Sequence, residues 1–182
     1  MKMIAQGLNV AVACSVFAAF PAFAMNIDNY IDVAKQAAGA VKKGKIKDID
    51  KVIAQQEELI RLAVEGALKY AEENPARRKM MHLLVLNSER MKHLTLDAIE
   101  TAWHNGDYLR RNGIDIGNLA HTDAAMSYYH AVIHPAAVFI ALTEYKNSKD
   151  PELLRKAEDE LNEVVVQVEQ LKEGASMGKS KK

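Results

Sequence analysis

Apolar and polar positions recur along this chain with helical spacing almost from end to end, after a first stretch that has no polar face. Residues 8–23 form a mostly apolar run, preceded by a single charged side chain, Lys2, and closed by Pro21 and Ala22-Phe23-Ala24. A positive start, an apolar middle and a small-x-small ending describe a secretory signal peptide cut after Ala24. Pro21 ends the apolar helix where a peptidase needs extended chain. The run is near the lower limit for spanning a bilayer, so the competing reading is a retained anchor.

Beyond that point the pattern is one of helices. Asn26 or Asp28 caps a short first helix carrying Tyr30, Ile31, Val33, Ala34 and Ala37, which ends in the basic, Gly-containing stretch 39–47. Asp48 opens a longer second helix, in which Val52, Ile53, Leu59, Ile60, Ala63, Ala67 and Tyr70 recur at three- and four-residue steps. Asn74-Pro75 ends it and supplies the cap and first residue of a third helix running to about His104. A Gly- and Asn-rich loop follows, then a fourth helix over residues 119–146. Asp150-Pro151 repeats the cap-plus-proline signature for a fifth, and a small, basic, frayed tail begins at Gly174. No alternating strand pattern stands out. The expected architecture is all-α: an antiparallel up-down four-helix bundle with a short extra N-terminal helix. The domains are a cleavable segment over 1–24, one bundle over 25–173 and a flexible basic tail over 174–182.

Composition narrows the chemistry. The 182 residues carry 24 basic and 24 acidic side chains, with one cysteine. Nucleic-acid binding is disfavoured, since it needs a concentrated basic surface. Cys14 leaves with the N-terminal segment, so the exported chain reaches an oxidising compartment, periplasmic or extracellular, with no thiol and no membrane span. Thiolate catalysis and thiolate metal ligation are thereby excluded, as is c-type haem, which needs Cys-x-x-Cys-His.

What remains is histidine. All six lie between residues 82 and 134. On a continuous third helix His82, His93 and His104 would fall on one stripe, because eleven residues are within about 20° of three turns. Glu89, Asp97 and Glu100 flank that stripe, which lies opposite the apolar side and reads most simply as a solvated face. On the fourth helix Asp123, Ser127, His130 and His134 form a second stripe. His130 and His134, one turn apart, can reach one ion, and Met126 adds a thioether that would favour copper over zinc. Pro135 removes the amide that would bond the Ala131 carbonyl, and should bend the helix there.

With the two helices antiparallel and His104 level with His121, His93 and Glu89 come to the height of His130 and His134. These four are the leading metal ligands, for zinc or copper. Asp123, Glu100, His104 and His121 make a second cluster near the long loop. Two functions follow. One is an exported bundle that binds a transition metal ion or similar small ligand for carriage, buffering or sensing, without turnover. The alternative is a metal-free helical scaffold that meets an envelope protein or a second copy of itself.

Overall fold

The computed structural model describes residues 26–42, 44–117, 119 and 123–179. Residues 1–24, read above as a signal peptide, and His121 lie outside them. The described chain is all-α, as its periodicity predicts, with one minute β-ribbon.

Helix α1 (Ile27–Ala40) starts at Asn26, whose side chain accepts the Asn29 amide at 3.0 Å, and buries Tyr30, Ile31, Ala34 and Ala37. Two-residue strands follow, β1 (Val41–Lys42) and β2 (Lys45–Ile46), paired antiparallel with Lys42 opposite Lys45. Strands this short cannot display an alternating pattern, so the sequence could not announce them. Asp48 caps α2 (Ile49–Glu73), accepting the Lys51 amide at 3.0 Å. Asn74 closes α2 by donating to the Tyr70 carbonyl, and does not open α3 (Arg78–Met91), whose N-cap is Arg77 with no side-chain bond.

The largest departure from the expected pattern lies in the third helix, which stops at Met91 instead of continuing to His104. Thr95, in extended conformation, caps a new segment by accepting the Ala98 amide at 3.2 Å. A threonine side chain that bonds a nearby backbone amide favours a cap over helix continuation. The new segment is one turn of α4 (Leu96–Ile99) followed by a π-helical turn, Glu100–His104. Gly106, at φ 76°, turns the chain into α5 (Asp107–Arg111). The eleven-residue stripe of His82, His93 and His104 is therefore broken.

Helix α6 (Ala124–Ser148) is the centre of the molecule. From Ala125 to Leu142 every residue except Phe139 is buried, so this helix has no polar face. Its length and mean hydropathy of 1.3 would suit a membrane span, but 94% of that window is covered by the chain itself, as in a core helix. Helix α2 runs antiparallel to it: Asp50 at its start pairs with Lys146 near the end of α6 at 2.6 Å, and Arg77, in the turn after α2, pairs with Asp123 at the start of α6 at 2.8 Å. Helix α7 (Pro151–Lys179) covers a further side and continues through the segment expected to fray from Gly174. Helix α1 lies against α7 and α2. Ala137 and Ala141 are buried in this packing, Ala141 in the same apolar cluster as Leu154, Ala157 and Leu161 of α7.

Pro135 sits inside α6, and the Ala131 carbonyl it deprives of a partner is not left bare. The Tyr30 hydroxyl, buried on α1, donates to that oxygen at 2.8 Å. Burial alone pushes the Tyr30 phenol far above its usual range, so the hydroxyl keeps the proton it donates. A contact 101 residues apart in sequence thus repairs a local defect that lies between the two buried histidines.

Candidate functional site

The site is built where the π turn meets the N-terminal half of α6. The Tyr129 hydroxyl donates to the Trp103 carbonyl within that turn, and the Tyr129 and Trp103 rings pack 6.4 Å apart. Trp103 stacks in turn on Tyr108 of α5 at 4.5 Å. The next residue, His104, is thereby held over the adjacent positions of α6. Its ring centroid lies 5.3 Å from that of His134 and 6.2 Å from that of His130. The His130 and His134 rings are themselves 5.3 Å apart. Three imidazoles therefore form one triangle.

Carboxylates stand behind two of them. His134 Nδ1 is 2.7 Å from Glu160 Oε2 on α7, with both side chains largely buried. His104 Nδ1 is 3.4 Å from Glu100 Oε1, one turn back on its own element. With the Nδ1 hydrogen of His134 directed at Glu160, its Nε2 atom is left as the electron-pair donor. The triangle opens on a cleft of about 750 Å³, whose other walls include Met126, Arg110, Asp159, Glu163 and Gln167. Among the described residues, three carboxylates of α7 (Asp159, Glu160 and Glu163) line this cleft with one guanidinium, Arg110; Asp159 is itself paired with Arg155 and Arg110 with Asp107. A cleft of this sign concentrates cations.

Of the residues singled out in the sequence, His130, His134, Met126, His104 and Glu100 meet here, all but Glu100 on the cleft wall. Met126 is 5% exposed. His93 and Glu89 do not line the cleft. His93 is exposed in the turn after α3, and Glu89 points outward to pair with Lys92 at 2.7 Å. The reason is the break after Met91, which puts His104 where a continuous helix would have put His93. His82 is exposed on α3. Asp123 serves as the cap of α6, accepting the Ala125 amide at 2.9 Å and pairing with Arg77. His121 falls outside the described residues.

Glu160 is the site residue that sequence reading passed over. Its position carried a signal, being three residues after Ala157 and four before Val164, within the stripe that α7 buries. A carboxylate on such a stripe needs a partner. In the conformation described, no three histidine or carboxylate side chains among the described residues converge as a ready cation cage. Comparison of the chain with family models, curated proteins and solved structures finds no match to any of them.

Proposed function

We propose that this chain is an exported helical protein that binds one transition metal ion, zinc or copper, through His104, His130 and His134. Its role would be carriage, buffering or sensing. The observation that carries the reading is the triangle of ring centroids at 5.3, 5.3 and 6.2 Å. With metal–nitrogen bonds of about 2.0–2.1 Å in tetrahedral geometry, and ring centroids about 1.1 Å behind the nitrogens, neighbouring centroids sit about 5.2 Å apart. Two sides of the triangle already match. The third closes when His104, half exposed on the π turn, moves inward by about 1 Å and the rings rotate to aim Nε2 at a common point.

Glu160 and Glu100, behind the Nδ1 atoms, would serve as the outer carboxylates that orient the ligating imidazoles. The cleft leaves a fourth coordination position for solvent, a small ligand or Met126, whose thioether would shift preference toward copper. The antiparallel pairing of α2 with α6 supports reading the architecture as an up-down bundle, formed by α2, α3, α6 and α7 with α1 as the added helix. The N-terminal signal pattern supports export to the periplasm.

The test is metal content and zinc or copper titration of untagged protein purified from the exported fraction. One ion per chain is expected, with binding lost in His130→Ala and His134→Ala and weakened in His104→Ala. Substoichiometric metal that these substitutions leave unchanged refutes the proposal. A stable hetero-complex without metal would point instead to a scaffold.

A further inference from the structure

A second cavity, of about 850 Å³, lies at the far end of α6, marked by Tyr145, and is roofed by the β1–β2 ribbon and the start of α2. Its lining carries Lys42, Lys45, Lys47 and Lys51 against one carboxylate, Asp48. That carboxylate is already engaged in capping α2. Among the described residues none of the four lysines takes part in an ion pair, although lysines elsewhere, such as Lys35 and Lys146, do.

The register adds a second, independent observation. Lys42 and Lys45 are directly opposed across a ribbon only two residues deep. Like charges facing each other across strands are destabilising, and so short a ribbon has little else to offset that repulsion. The ribbon is instead fastened from outside, the Gly44 amide donating to Glu158 of α7 at 3.3 Å. Gln55 also lines the cavity, and its Oε1 is buried without a hydrogen-bond partner. Turned over, the same amide presents an N–H donor.

We propose that this cavity binds a ligand bearing two or more phosphate groups. Four ammonium groups around one recess exceed what a single phosphate dianion neutralises. Lysine meets phosphate as a point charge with three N–H donors, and several such groups around one recess suit a ligand of high negative charge density. A multivalent phosphate ligand would relieve the Lys42–Lys45 repulsion and tie the ribbon to α2. Such a ligand is available as a soluble polyphosphorylated compound or as the headgroups of an anionic lipid surface.

Both sources are tested with untagged protein expressed from the full-length coding sequence. Inorganic tripolyphosphate is titrated by calorimetry at low salt, and sedimentation with phosphatidylglycerol vesicles is compared with phosphatidylcholine vesicles. Saturable binding to at least one phosphate source is expected, stronger than to phosphatidylcholine and weakened about tenfold or more by joint substitution of the four lysines with glutamine. Should that variant fail to fold, Lys45→Gln and Lys47→Gln singly are each expected to weaken binding several-fold. Arg61→Gln with Lys172→Gln, a control that removes ion-paired cations away from the cavity, should leave affinity within about twofold. No saturable binding to either probe, or an equal loss in the control, overturns the proposal.

Discussion

Substituting Tyr30 by phenylalanine removes one oxygen and tests whether the proline in α6 is compensated as the structure indicates. The ring stays and its packing with it, but the Ala131 carbonyl loses the 2.8 Å bond and has no α6 amide to replace it, since residue 135 is proline. A buried acceptor left without a donor costs about 1–3 kcal/mol. In a chain of this size that lowers the unfolding midpoint by about 2–12 °C. Pro135→Ala restores the missing amide, which can donate to Ala131 once the helix straightens. On that background Tyr30→Phe should cost much less, giving a coupling of about 1–2 kcal/mol in the double-mutant cycle. Urea unfolding followed by far-UV circular dichroism reads all four proteins. If Tyr30→Phe costs under about 0.5 kcal/mol, or the same amount with alanine at 135, the carbonyl is not what the hydroxyl serves.

Three further outcomes follow from particular contacts. Burial raises the Tyr30 and Tyr129 phenols well above their ordinary range, so the folded state keeps protons that the unfolded chain releases above about pH 10. Stability should therefore be flat with respect to these groups below pH 10 and fall above it by about 1.4 kcal/mol per pH unit for each. Tyr30→Phe removes one share of that slope, and an unchanged alkaline slope would contradict the assignment. Glu160→Gln should weaken zinc binding about 10–100-fold by loosening the orientation of His134, and calorimetry giving wild-type affinity would remove Glu160 from the site. Gly106→Ala forces a side chain onto φ 76° and puts its Cβ 2.2 Å from Ile116 Cδ1. The expected loss is about 1–3 kcal/mol by thermal unfolding, with a shift of the neighbouring His104 resonances; an unaltered midpoint refutes it.

Helix identity was readable because α1, α2 and α7 each bury one stripe, and the apolar positions at three- and four-residue steps name that stripe directly. Asp48 and Asp150 were readable for a local reason, since a carboxylate before a helix bonds the amides that follow it. Helix α6 shows where this logic stops. Surrounded on all sides, it buries polar Ser127, His130 and His134 together with its apolar residues, and periodicity cannot distinguish a polar stripe facing water from one facing an internal site. The defect at Pro135 was visible in the sequence, but its repair by a tyrosine a hundred residues earlier depends on packing.

The histidine triangle was half legible for the same reason. His130 and His134 follow from four-residue spacing within one helix, whereas their third partner depends on where the preceding helix breaks. Thr95 decides that, and its signal is faint: one capping hydroxyl in a run otherwise compatible with helix from Met80 to His104. Had the helix continued, His104 would have stayed in phase with His82 and His93, both of which are exposed. The break and the π turn rotate His104 out of that phase, and the Tyr129–Trp103 bond fixes the turn against α6. Irregular turns of this kind recur at functional sites because they aim side chains that a regular helix cannot. The hydroxyls of Thr95 and Tyr129 bond backbone groups, not imidazoles, although the Tyr129 ring packs 5.8 Å from that of His130; substituting either residue should disperse the triangle as surely as removing a ring.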